Sequence, residues 1–324
     1  MKKFIALAST LFIGASAFAT LSANDYGGTL ITGDYTAAEL KAANGGSGDF
    51  ANIVLNGSIS ITDGTGIKTT TAEKMLGASA TYSLVSTGAS SISLTAGSTG
   101  SFQFASAINT LGGPLEINVD KDAGGYIYVG KVTSQKASGA ESAPMTLNLH
   151  KEYAIRTSSK NNAFTMTVVN SAPMNINASA DQKFKIDYRA GSTVNINVTN
   201  DASLYFGLVS INKTGSTSYI VLQNDLQNGS LMFAEDMVDN LVYDSVNNVY
   251  NLNIILNAKS GEVFTQTLQI SGADGVDISN LTWSNTVEEG YWTLTGFSAA
   301  VPEPAEWAMI LGALALGWAI YRRK

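Results

Sequence analysis

The chain has 324 residues, no cysteine and 14% charged residues, well below the ~25% of an ordinary globular chain. Its formal net charge is −7, and setting aside the five cations Lys2, Lys3, Arg322, Arg323 and Lys324 at the two ends leaves −12 on the rest. An acidic body excludes nucleic-acid binding, which needs a basic face, and the missing cysteines exclude a disulfide framework, a thiolate metal site and a cysteine nucleophile.

The first elements form an export signal. Lys2 and Lys3 precede a short apolar run from Phe4 to Gly14, and Ala17-Phe18-Ala19 is an A-x-A site with cleavage expected before Thr20. Residues 1–19 are therefore expected to engage the Sec translocase and signal peptidase. Thr36-Ala37-Ala38-Glu39 then reads as a capping box opening a short helix through about Ala43, which Gly45-Gly46-Ser47-Gly48 stops. This helix is expected to cap the first layer of the body, which spans 20–235.

Beyond it the chain is β-like, with strands such as Ile53-Val54-Leu55, Ile59-Ser60-Ile61 and Ile92-Ser93-Leu94 separated by turn clusters. Three prolines sit in one repeated motif: GPLEINVDKD from Gly113, APMTLNLHKE from Ala143 and APMNINASAD from Ala172. STVNINVTND from Ser192 repeats the pattern with Thr193 in place of Pro, and Asn224-Asp225 begins a weaker fifth match. Alternate positions are apolar, as in Leu115, Ile117 and Val119, which is a period-two strand with one buried face. Asn118, Asn148, Asn177 and Asn197 recur at one position. Repeats of this length indicate a solenoid, with equivalent strands stacked about 4.8 Å apart. The four asparagines would then form a side-chain ladder, and Pro at a strand head would lose no essential bond. The expected fold is all-β, a parallel β-helix; a β-sandwich is the alternative.

The same alignment stacks Asp122, Glu152, Asp181 and Asp201 in a column. Oxygen ligands without Cys or His suit Ca²⁺, so this column is the candidate metal site; the plainer reading is that acids begin turns. His150, the only histidine, points outward in the column of Asp120, Ser179 and Thr199, with no nucleophile-elbow pattern to support a Ser-His-Asp hydrolase. Lys151, Tyr153 and Arg156 beside Glu152 form the best lyase-like cluster.

From 236 to 300 the texture changes to antiparallel strands, with a hairpin turning at Asp244 to Asn248. Trp283 and Trp292 read as core residues. The last segment, 301–324, runs VPEPAEWAMILGALALGWAIYRRK. Its uncharged stretch from Trp307 to Ile320 is flanked by Trp307, Trp318 and Tyr321 and closed by Arg322, Arg323 and Lys324, as befits a short transmembrane helix with cytoplasmic cations.

Pro302-Glu303-Pro304, an apolar helix and the terminal cations in that order resemble the PEP-CTERM sorting signal. The resemblance covers these 24 residues only. It implies recognition of Pro302, Glu303 and Pro304 by exosortase, a membrane-embedded transpeptidase-like enzyme, processing near that tripeptide, and delivery to the surface or extracellular matrix of a Gram-negative-type bacterium. It implies no activity for the body. The expected function is a non-enzymatic structural or adhesive surface protein without a cofactor, Ca²⁺ aside, whose Asn/Ser/Thr-rich face suits extracellular polysaccharide. The alternative is a β-helix polysaccharide lyase or glycosidase built on the acids and on Lys151, Tyr153 and Arg156.

Overall fold

The computed structural model describes residues 22–23, 28–75, 80–134, 143–157, 164–169, 172–189, 191–199, 201–211, 217–224, 229–234, 238–257, 263–295, 298–299 and 321. They are mostly β: a largely parallel sheet of 21 strands, a parallel sheet of five and a two-stranded pair, consistent with a β-solenoid.

The large sheet contains two parallel stacks that share their first two strands, Thr29–Thr36 and Ile53–Ile61. The first stack continues through Ser90–Leu94, Leu115–Val119, Met145–Leu149, Met174–Ala178, Thr193–Val198 and Thr217–Leu222. The second continues through Leu84–Ser86, Ile108–Asn109, Lys131–Ser134, Phe164–Val169, Gln182–Arg189, Ser203–Ile211 and Ser230–Ala234. The five-stranded sheet is the third stack: Asp49–Phe50, Ile67–Thr69, Phe102–Gln103, Ile127–Tyr128 and Ile155–Arg156. From Leu84 to Arg156 the chain visits the second, first and third stacks in turn, so each circuit adds one layer.

Alternation decides what lies inside. Ile59, Ile92, Ile117, Leu147, Ile176, Ile196 and Leu222 stand opposite one another in successive layers and are fully buried. The second stack contributes an aromatic column, Phe164, Phe184, Phe206 and Phe233, with ring centroids 5.1–5.6 Å apart. Burying each such side chain stabilises by about 1.5–3 kcal/mol, against about 1 kcal/mol net for a typical hydrogen bond. Apolar columns therefore drive the stacking, and polar columns set its register.

Two polar columns are amide ladders on the outer side of the first stack. Asn177 donates to Asn148 at 2.6 Å, Asn148 to Asn118 at 2.5 Å, and Asn118 to the Ser93 hydroxyl at 3.3 Å. Asn197 keeps the register opposite Asn177. A second ladder, which the repeat does not announce, runs from Gln223 to Asn195, Asn175 and Thr146. At the passage into the first stack, the buried hydroxyls of Ser86, Thr110 and Ser134 donate to Gly113, Ala143 and Ala172 carbonyls in the next layer. The prolines that follow lose nothing: Pro114, Pro144 and Pro173 carbonyls accept from Ser90, Leu115 and Met145. In the two shared strands this bend needs glycine. Gly57 has φ +148°, and a Cβ there would meet the Gly33 carbonyl oxygen at 2.1 Å.

The helix Ala37–Ala43 forms with both bonds of its capping box, and it buries Ala37 and Leu40 in the core beside the first two strands. Ser22–Ala23 pairs antiparallel on Thr29–Thr36. At the other end the chain turns antiparallel. Val238–Asp244 and Val249–Asn257 form the expected hairpin, Val263–Gly272 joins them and also pairs with Thr217–Leu222, and Tyr291–Thr295 covers Ser230–Ala234. Trp283 packs on Phe233 and Tyr250 at the core margin. The fifth match needs a correction: the layer offset is 26 residues, with Thr193 opposite Tyr219. Asn224 thereby falls opposite Val198 and bonds its backbone N–H and carbonyl with one side-chain amide.

Candidate functional site

The third stack is narrow, and what it turns outward differs from the amide face. Ile67, Phe102, Ile127 and Ile155 point into the core. Their neighbours Lys68, Gln103, Tyr128 and Arg156 stand opposite one another on the outer side. A groove of about 500 Å³ lies beside Tyr128, lined by Lys68, Thr69, Thr70, Gln103 and Phe104.

From the next layer, two cations converge on Tyr126. The Arg156 guanidinium lies 3.1 Å from its ring centroid and the Lys151 ammonium 3.7 Å. Lys151 also donates to the carbonyls of Ala123 and Gly125. A cation over a tyrosine face contributes about 0.5–2 kcal/mol, more when shielded from water. Arg156 is shielded: its Nε is buried and has no hydrogen-bond partner among the described residues.

A second group continues in the same direction. The Lys183 ammonium sits between Tyr153 (5.6 Å) and Tyr205 (5.1 Å), and Tyr205 meets Tyr291 edge-on at 5.5 Å. Tyr153 holds φ +47° in the tight turn that presents it. All three rings are half-buried. Burial above all, then the Asp181 and Glu288 carboxylates, pushes the Tyr205 phenol up to about 12. Burial, followed by Glu152, Asp181 and Glu288, raises Tyr153 as well. Together the two groups make a stripe of tyrosines and cations along the stacking direction, roughly 20 Å over four layer spacings of ~4.8 Å.

The stripe includes Lys151, Tyr153 and Arg156, the cluster the sequence points to. It adds Tyr126, Tyr128, Lys183, Tyr205 and Tyr291, which have no shared motif position and are united only by the stacking. The acidic column behaves differently. Asp122, Glu152, Asp181 and Asp201 do not gather into a ligand set, and among the described residues no group of three His, Asp or Glu side chains is placed to hold a metal ion. Asp181 accepts from the Ser203 N–H of the next layer at 2.8 Å, and Asp201 takes φ +60° in a turn. Asp122 donates its own N–H to the Asp120 carboxylate.

His150 is exposed, and its Nδ1 lies 2.8 Å from the Ser179 hydroxyl. The pair stands on an open turn, and in a hydrolytic triad the serine faces Nε2 while Nδ1 faces the acid. This is the geometry of a turn contact between neighbouring layers.

The signal-cleavage residues Ala17 and Ala19, the tripeptide Pro302, Glu303 and Pro304, and the terminal Arg322, Arg323 and Lys324 lie outside the described residues. Among the described residues no helix is long and apolar enough to cross a membrane. In comparisons with known proteins, no family model, no curated protein and no solved structure matches the chain.

Proposed function

We propose that this chain is an exported bacterial cell-surface or extracellular-matrix protein, sorted by exosortase through its C-terminal Pro-Glu-Pro tail. Its body is a parallel β-helix with an antiparallel C-terminal region and a short transmembrane tail. That body is a non-enzymatic structural or adhesive rod that holds extracellular polysaccharide. The location rests on the two terminal signals. The role of the body rests on one observation: tyrosines and cations form an extended stripe along the stack, a surface that matches a long chain laid lengthwise. The lyase reading needs Lys151 and Arg156 available to substrate, and both are laid on Tyr126.

The test has two readouts on protein isolated from the producing cells. Peptide mass spectrometry of the matrix fraction should find a C-terminus near Pro304 and no WAMILGALALGWAIYRRK peptide; a tail retained in the inner membrane would sink the sorting assignment. Co-sedimentation with the cells' extracellular polysaccharide should weaken about tenfold in the Tyr153→Ala/Tyr205→Ala double variant, since each lost ring contact costs about 0.5–1.5 kcal/mol. Undiminished binding by a folded variant would remove the stripe from the function.

A further inference from the structure

The class of polysaccharide follows from which charges on the stripe are already engaged. Its three cations are all committed to rings. Lys151 is held by two carbonyls and the Tyr126 face, Arg156 covers the same ring, and Lys183 is lodged between Tyr153 and Tyr205. A polyanion would have to pull them off these faces, where each already has a partner. Acids match them in the same neighbourhood: Glu152, Asp181 and Glu288 all act on the Tyr153 phenol, and Asp181 and Glu288 on Tyr205. Three acids thus balance three cations, and the stripe offers a polyanion no excess positive charge. The body as a whole repels polyanions too, at −12 outside the chain ends.

What remains available is ring edge, phenol hydroxyl and carboxylate. An uncharged pyranose meets all three. Its C–H face packs on Tyr205 or Tyr291, and its hydroxyls donate to Asp181 or Glu288 while accepting from phenols. The exposed amide of Gln103 extends the same hydrogen-bonding chemistry along the third stack.

We infer that the Tyr153, Lys183, Tyr205 and Tyr291 stripe binds uncharged polysaccharide chains and discriminates against polyanionic ones. This rests on the polysaccharide-holding role proposed above and names its ligand class. Binding made of ring contacts and short-range hydrogen bonds is insensitive to salt, whereas binding to a polyanion weakens steeply as salt rises.

The experiment divides the extracellular polysaccharide of the producing cells by anion exchange into uncharged and anionic pools. Galactomannan and alginate serve as reference polymers. Affinity electrophoresis of the full-length protein is run against each at low and high NaCl. The expected result is retardation by the uncharged pool, with an apparent Kd that moves less than about twofold with salt. Tyr205→Ala should weaken it about threefold, Tyr205→Phe should restore most of the loss, and Lys183→Gln should cost less than the loss of the ring. Retardation mainly by the anionic pool or alginate, abolished by salt, overturns the uncharged-ligand inference and leaves the polysaccharide-holding role standing. Retardation by neither pool overturns both.

Discussion

Asn148 is the central link of its ladder: its Nδ2 donates to Asn118 and its Oδ1 accepts from Asn177. Replacing it with leucine keeps the volume but strands a partner on each side. Half-buried amides left unpaired cost about 1–3 kcal/mol, so Asn148→Leu should lower the unfolding free energy measured in urea by that much. Ser93 ends the same ladder with one bond at 3.3 Å, and Ser93→Ala should lose only about 0.5–1.5 kcal/mol. Equal effects of the two changes would show that the ladder does not act as a chain. The four asparagines at one repeat position were legible because stacking makes identical side chains neighbours. The parallel ladder through Asn175 and Asn195 was not, because Thr146 and Gln223 interrupt the identity of its residues while keeping their hydrogen-bonding roles. The acids recur at one position too, but among the described residues they gather no ligand set, and Asp181 instead accepts from the Ser203 N–H of the next layer.

Among the elements, the third stack has the most informative boundary. It ends at Ile155–Arg156 because the next layer is shorter: Met145 to Met174 spans 29 residues, Met174 to Val194 only 20. Twenty residues do not furnish a third strand, and Gln182 takes its place. The side chain is fully buried, its Oε1 accepting from the Ala154 N–H at 3.1 Å and its Nε2 donating to the Lys151 carbonyl at 2.7 Å. One amide thus caps the segment leading into the last strand of the sheet as a peptide group would. Gln182→Ala should leave that N–H and carbonyl unpaired beside a cavity and cost about 2–4 kcal/mol. The Ala154 amide should then exchange with solvent much faster while the first stack stays protected. Unchanged exchange at Ala154 would refute the capping role. The sequence carried this event only as an uneven spacing, since no motif marks a glutamine acting as backbone. The prolines were easier to read, because a residue without an N–H at a strand head is tolerated only where its carbonyl does the bonding.

At the scale of the molecule, a parallel stack has two open ends that would pair with further chains. Here one is met by Ser22–Ala23 and the helix Ala37–Ala43, and the other by the antiparallel hairpins. Tyrosines with raised pKa values extend along most of the structure: Tyr82, Tyr153, Tyr188, Tyr205 and Tyr250, each chiefly through burial. A phenol raised above its unfolded value of about 10 favours folding fully below pH 10 and loses that contribution as pH climbs through the folded value. For Tyr205 that window runs from about 10 to about 12. Thermal stability should accordingly be flat from neutral pH to about 10 and fall steeply above it, and phenolate absorbance should rise together with unfolding. A melting temperature unchanged between pH 10 and 12 would contradict the burial of these rings.

The amide ladders also have a direction. In every link the donor belongs to the later layer and the acceptor to the earlier one: Asn118 to Ser93, Asn148 to Asn118, Asn177 to Asn148, and likewise from Gln223 back to Thr146. Each layer therefore offers oxygen atoms to the strand that follows it in the chain, and that strand carries the matching N–H groups. The stack is therefore polar, and the order of its layers along the chain is written into the orientation of the side chains.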